Sequence, residues 1–205
     1  QFFGGTSTVA AKATRVRARI VAQTINEQMQ ASDKVFIMGH DNEDYDAIGS
    51  AIGMAKLSLS LNKETYIVLS GRNDNVNRIS EMLARESIKV NDHEEDYNSI
   101  MVEEAEALKH ITPKSLLVLV DHHREILTAS KSVLEAIPKR IIVDHHRRSE
   151  DLLADTVLLY LEPSSSSTSE LLTELVGYFN DRLEFTPVEA TALYSGIVLD
   201  TKNFA

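Results

Sequence analysis

The sequence predicts an α/β domain built on a mostly parallel β-sheet flanked by helices, with a linker helix at the N-terminus. Three observations lead there. Short apolar, β-branched runs alternate with stretches of helical spacing, an order that implies parallel strands joined by crossover helices. Several of these runs stop at Asp or His, and in open α/β sheets ligands bind outside the carboxyl ends of the strands. One such ending occurs twice, as Asp121-His122-His123 and Asp144-His145-His146.

Taken in order, residues 9–31 hold good helix formers and no Gly or Pro, with Val16, Ile20, Ile25 and Met29 near helical spacing, and predict one long helix. Arg15, Arg17 and Arg19 within it read as a solvated basic face or a link to a neighbouring domain rather than as nucleic-acid contacts. The preceding Phe-Phe-Gly-Gly segment reads as the end of a different unit. Strands are expected at 35–38, 65–69, 116–120, 140–143, 157–161 and 196–199. Helices are expected at 47–61, 75–86, 126–136, 167–180 and 187–194. No internal repeat is evident beyond the doubled tripeptide.

The first strand opens into Gly39-His40-Asp41-Asn42-Glu43-Asp44-Tyr45-Asp46, so that His40, Asp44 and Asp46 offer hard or borderline donors just before a helix. Alone, this could be a solvated acidic loop that caps the helix. Beside two Asp-His-His endings it reads as metal-binding. Gly49 and Gly53, four residues apart, would let that helix pack closely on the sheet. A last acidic ending, Gly196-Ile197-Val198-Leu199-Asp200, completes the set.

Composition narrows the chemistry. The 205 residues are 43% hydrophobic and 25% charged, which suits a globular domain with a real core. No apolar stretch approaches the ~20 residues needed to cross a bilayer. Cysteine is absent, which excludes disulfides, thiolate metal sites and cysteine nucleophiles. The 31 acidic residues against 21 basic ones, a formal charge of -10, argue against a broad face for polymeric nucleic acid. Any metal must therefore be held by His and carboxylates. The inventory His40, Asp44, Asp46, Asp121, His145 and Asp200 exceeds what one tetrahedral zinc needs and suits two ions sharing a bridging carboxylate. Oxygen-rich donors with two imidazoles favour manganese, with Mg, Co or another divalent metal as substitutes.

The pattern His40-x-x-x-Asp44-x-Asp46, then Asp121, then Asp144-His145-His146, then Asp200 resembles the DHH phosphoesterase superfamily. Thr14-Arg15-Val16-Arg17-Ala18-Arg19, Phe36-Ile37-Met38-Gly39-His40, Asp144-His145-His146-Arg147-Arg148 and Gly196-Ile197-Val198-Leu199-Asp200-Thr201-Lys202-Asn203-Phe204 are similar to the GdpP-type cyclic-di-AMP phosphodiesterases, along essentially the whole chain. The resemblance implies that His40 and Asp44 bind one ion and Asp46, His145 and Asp200 the other, with Asp121 bridging. It implies that Asp144 orients the His145 ring, and that His146, with His123 and Arg124, faces the substrate phosphate. Where these proteins read Asp-Thr-His-Arg this chain has Asp121-His122-His123-Arg124, so His122 is left without a role.

The implied activity is hydrolysis of cyclic-di-AMP to linear 5'-pApA at a two-manganese centre. A nano-RNA or oligonucleotide hydrolase of the same superfamily, or a non-catalytic nucleotide-binding regulatory module, would share the same ligands. The resemblance further implies residues 1–8 as the end of a GGDEF-like domain, 9–32 as a linker helix and 33–205 as a DHH domain cut before a DHHA1 domain, hence weak or absent turnover by this piece alone. It also implies a cytoplasmic-facing catalytic region of a protein anchored in the bacterial cell membrane, without membrane contact by this part, and allows a homodimer.

Other features read more plainly. The run Ser164 to Ser169 ahead of Glu170 caps a helix, or places hydroxyls and helix-end amides near phosphate. Gly71-Arg72-Asn73-Asp74 reads as a turn, and His93 and His110 as surface residues.

Overall fold

The apolar runs at 35–38, 65–69, 116–120, 140–143 and 157–161 all become strands of one sheet. The computed structural model describes residues 5–71, 73–84, 87–90, 93–151, 153, 155–180 and 182–202, with side chains from 15 onward and outside 87–95. Along the chain come α1 (Gly5–Gln30), β1 (Lys34–Met38), α2 (Tyr45–Ser60), β2 (Glu64–Leu69), α3 (Asp74–Leu83), β3 (Ser87–Val90), β4 (His93–Asp96), α4 (Tyr97–Ile100), β5 (Met101–Glu103) and α5 (Glu104–His110). There follow β6 (Leu116–Val120), a 3₁₀ turn at Glu125–Leu127, α6 (Lys131–Ala136), β7 (Arg140–Asp144), β8 (Thr156–Leu161), α7 (Thr168–Phe179) and α8 (Pro187–Asp200).

Six strands pair in the order β5-β2-β1-β6-β7-β8, every pair parallel, while β3 and β4 form a separate antiparallel hairpin. The chain builds outward from β1 to β2 and β5, then returns to the other side of β1 with β6. The reversal therefore falls between β1 and β6, where an open α/β sheet forms its ligand crevice. Register sets the crevice level: Met38 pairs with Leu119 and Val120 with Val143, so His40, Asp121 and Asp144 leave the three central strands side by side.

Burial on both faces explains why these strands read as unbroken apolar runs. Val35 and Ile37 of β1, with Leu116, Val118 and Val120 of β6, join a core with α1, α2, α3, α7 and α8. The alternate residues Phe36, Met38, Leu117 and Leu119 pack on the other face against Ala107, Val133 and Leu134 of α5 and α6. From Ala18 onward α1 belongs to the first core, through Val21, Ala22, Ile25 and Met29. No helix among the described residues is long and apolar enough to cross a membrane.

Helix α2 is buried from Asp46 to Leu59 because it lies between the sheet and a second layer made by α7 and α8. Its two glycines serve that second layer and not the sheet, as the spacing had suggested. A Cβ at Gly49 would come within 2.6 Å of the Ala192 carbonyl of α8, and one at Gly53 within 3.0 Å of Leu193. A buried Lys56 pins the layers further: its ammonium contacts both Glu189 oxygens at 2.9 Å. Glu189 also accepts from the Tyr97 hydroxyl at 2.5 Å and, as part of a capping box, from the Thr186 N–H at 2.7 Å.

Two element assignments change. The expected strand at 196–199 is the last part of α8, which starts at Thr186-Pro187 and runs unbroken to Asp200. A short β-branched run fits either state, and here the strong N-cap and the buried stripe of Glu189, Ala192, Leu193 and Gly196 decide for helix. The expected helix at 126–136 is split. Thr128 bridges to His40, the Asp41 N–H donates to the Leu127 carbonyl at 2.7 Å, and the Ala129 N–H to the Gly39 carbonyl at 3.2 Å, so α6 begins only after Ser130 caps it. Sequence periodicity did not reveal β5, α5 or the β3–β4 hairpin. Of the segment 1–8 ascribed to a preceding unit, residues 5–8 belong to α1, which starts earlier than expected, and residues 1–4 lie outside the described residues, as do Arg72 of the expected turn and the His93 side chain. Asn73 of that turn caps α3, and His110 ends α5, stacked on Tyr66.

Candidate metal centre

Asp44 is the N-cap of α2, its Oδ1 accepting from the Asp46 and Ala47 N–H groups at 2.9 Å each. The loop that carries it is tied down by the buried Glu43 carboxylate, which accepts from the Ser70 N–H at 2.6 Å and the Ser70 hydroxyl at 2.7 Å. His40 Nε2 then lies 3.7 Å from Asp44 Oδ1 and 3.7 Å from Asp121 Oδ2. The Asp44 carboxylate raises the His40 pKa despite burial.

Asp121 follows the last residue of β6 with φ of 63°, a left-handed conformation uncommon for a residue with a side chain. Its carboxylate is buried and accepts from the Thr168 hydroxyl at 2.9 Å. Asp46 is buried too, and caps the start of α7: Oδ2 accepts from the Thr168 N–H at 2.7 Å and Oδ1 from the Ser169 N–H at 2.8 Å. Ser167, as read from sequence, caps the same helix through the Glu170 N–H. Gly196 backs this junction, and a Cβ there would run into Ser169 Oγ and Asp46.

His145 Nε2 sits among three carboxylates, 3.3 Å from Asp200 Oδ2, 3.6 Å from Asp121 Oδ1 and 3.8 Å from Asp46 Oδ2. Asp200 reaches the group from the C-terminal end of α8 and not from a strand. Burial, with Asp46 and Asp44 nearby, pushes the Asp121 pKa well above its ordinary value, and burial likewise raises Asp200.

Asp144 is fully buried, and the rings it meets are those of His146 and His123 and not that of His145, which the resemblance had assigned to it. Its Oδ1 accepts from the His146 ring Nδ1–H at 2.7 Å and the His146 N–H at 3.1 Å, and its Oδ2 meets His123 Nδ1 at 2.5 Å. The Ser149 N–H donates to His123 Nε2 at 3.0 Å, which leaves the ring proton on Nδ1, facing Asp144. Although burial pulls the other way, the hydrogen bonds from His146 and His123 hold Asp144 at about 2. The same contact raises the His146 pKa.

Three ligand groups emerge: His40, Asp44 and Asp121; Asp46, His145 and Asp200; and Asp121, His145 and His146. All six residues read from sequence as metal ligands are brought together, and Asp121 is common to the first and third groups. The donors fit a divalent ion. His145 Nε2 is buried without a hydrogen-bond partner, and the neighbouring carboxylates repel one another, a tension that a cation would reverse. Separations of 3.3–3.8 Å around His145 lie slightly above the edge of about 3 Å between adjacent ligands of an octahedral ion.

The residues expected at the phosphate are placed differently from one another. His146 is half exposed and its Nε2 is free of Asp144, whereas His123 is buried with both nitrogens engaged. Arg124 approaches Asp151 at 3.5 Å. A cavity of about 570 Å³ opens here, lined by His40, Asp44, Asp121, His122, Arg124, His146, Arg147 and Asp200 among others. His122, left without a role by the sequence, is buried in its wall, and burial lowers its pKa to about 4, so the ring is neutral. Sequence reading missed Ser149, Thr168 and Ser169 as supports. The serine run did signal helix-end amides near the site, but what they hold is Asp46.

Comparison with known proteins gives concordant results. The description "DHH family, N-terminal domain" matches residues 34–197. The chain is 40% identical over 204 residues to the cyclic-di-AMP phosphodiesterase PdeA of Listeria monocytogenes and 38% identical over 205 residues to the cyclic-di-AMP phosphodiesterase GdpP of Bacillus subtilis. These alignments take in 100% of the chain and 30% of each relative, so the chain spans about a third of their length. Among solved structures, an exopolyphosphatase-related protein from Bacteroides fragilis superposes with a TM-score of 0.66 at 20% identity, covering 90% of this chain and 51% of the other.

Proposed function

Since the chain belongs to the DHH family, and its carboxylate and imidazole groups converge at the sheet crevice, we propose that it is the metal-holding part of a phosphodiesterase that hydrolyses cyclic-di-AMP to linear 5'-pApA. The observation that carries the reading is the shared position of Asp121 between His40 and Asp44 on one side and His145 on the other. In this reading His40 and Asp44 would hold one manganese and Asp46, His145 and Asp200 the other, with Asp121 available to both. The whole-chain similarity to cyclic-di-AMP phosphodiesterases supports the substrate.

A phosphodiester repels hydroxide through its own negative charge. Bound divalent ions supply the opposing positive charge and make water more acidic. The chain's own residues do the rest. Asp144 fixes the His146 ring through Nδ1, so only Nε2 is left to face a ligand, and Nε2 donates only when the ring is protonated. Asp144 favours that protonated state, which makes His146 a donor to phosphoryl oxygens as charge develops there. His123 acts through Asp144 as a positioning residue, and Arg124 and Arg147 add positive charge along the cavity wall. In this reading α1 serves as the linker helix and residues 33–205 as the catalytic domain.

Chromatography of products from cyclic-di-AMP, cyclic-di-GMP and pApA with added Mn²⁺ tests the proposal. Metal-dependent release of pApA from cyclic-di-AMP is the expected result. Faster cleavage of pApA than of the cyclic compound would point to an oligonucleotide hydrolase, and no hydrolysis of any of the three by the full-length protein would sink the enzymatic reading.

A further inference from the structure

Among the described residues, five buried side-chain polar atoms lack a hydrogen-bond partner: both ring nitrogens of His122, Nε of Arg124, Nε2 of His145 and the Tyr160 hydroxyl. The His145 nitrogen faces a candidate ion. Three of the other four belong to one loop after β6, on residues two apart that line the same cavity. His122 is only 2% exposed there. Keeping an imidazole buried with neither nitrogen satisfied is unfavourable, and an apolar side chain of similar size would avoid the cost. The carboxylates nearby are already engaged, Asp144 by His123 and His146 and Asp121 by Thr168.

A ligand rich in acceptors would satisfy the one N–H of the neutral His122 ring and the Arg124 Nε–H. Phosphoryl oxygens are such acceptors, and a ring N–H of His122 and the Nε–H of Arg124 are donors. We propose that His122 donates a hydrogen bond to an oxygen of the bound phosphodiester, with the Arg124 Nε–H as a second donor from the same loop. The contact rests on the phosphodiesterase reading above and adds a substrate-binding residue to it. The second Asp-His-His tripeptide provides an ion ligand and a phosphate donor; the first provides the bridging carboxylate and, in His122, a further donor.

The test compares wild type with His122→Leu and His122→Gln by three measurements: thermal melting without ligand, Mn²⁺ content, and calorimetric binding of pApA in the presence of Mn²⁺. The Leu variant should melt no lower than wild type and hold as much Mn²⁺, yet bind pApA about 10-fold more weakly, the size of one lost hydrogen bond. The Gln variant, which keeps a donor, should recover most of the affinity. Unchanged pApA affinity in the Leu variant would overturn the contact, as would a joint loss of melting temperature and Mn²⁺, which would mark a structural role. A wild-type chain that takes up Mn²⁺ but binds no pApA would overturn the phosphodiester reading and this contact with it.

Discussion

Asp144 shows how one buried carboxylate can organise a site it need not enter. With Oδ1 on His146 and Oδ2 on His123, whose far nitrogen is fixed by Ser149, it transmits the position of one loop residue to another. Replacing His123 by Ala should therefore lower phosphodiesterase activity by roughly 10–100-fold, the usual cost of losing an outer support, with His123→Gln partly restoring it. A His123→Ala variant with full turnover would show that Asp144 needs only His146. The direct ligands should respond differently. His40→Ala should leave the chain folded while metal analysis finds one Mn²⁺ in place of two, and turnover should drop by more than about 100-fold. Retention of both ions would remove His40 from the centre.

At the scale of elements, the centre depends on a junction where α2, α7 and α8 meet around Asp46. Gly196 makes it possible, because a methyl group there meets both Ser169 and Asp46. Gly196→Ala should cost about 1–3 kcal/mol of stability in urea denaturation, in line with overpacking elsewhere, and should weaken Mn²⁺ binding in parallel. A variant as stable as the parent would mean that α8 can shift without cost. This junction was only partly legible in the sequence. Strand-end ligands could be read because a buried parallel strand is an unbroken apolar run and its first polar residue is conspicuous. Asp200 was read as a ligand through a wrong element, since Gly-Ile-Val-Leu suits a strand as well as a helix and only the cap at Thr186 separates the two. The partners of Asp144 could not be read at all, because the ring that a carboxylate meets depends on rotamers and loop closure, not on spacing.

The whole molecule places its charges where the topology reverses, between β1 and β6, and this couples stability to pH. His40 and His146 have raised pKa values in the folded chain, so each contributes stability that is fully present below the unfolded value of 6.5 and is lost as pH climbs through the folded value. Asp121, also raised, is lost in the same direction. His122, lowered to about 4 by burial, acts in the opposite sense, but only below about its unfolded value of 6.5. The metal-free chain should accordingly melt lower at pH 9 than at pH 7, and saturating Mn²⁺ should flatten or reverse that slope while adding about 2.7 kcal/mol at 100 times its dissociation constant. A metal-free melting temperature that rises between pH 7 and pH 9 would contradict the assignment. The two candidate ion positions are also unequal in anchorage. His40 and Asp44 are tied into a loop held by Glu43, Leu127 and the capped start of α2, whereas Asp200 is the final residue of α8. Helix ends open at far lower free energy than the elements behind them. An ion held by Asp46, His145 and Asp200 should therefore be the more labile of the two, and stepwise chelation followed by metal analysis should remove it before one held by His40 and Asp44.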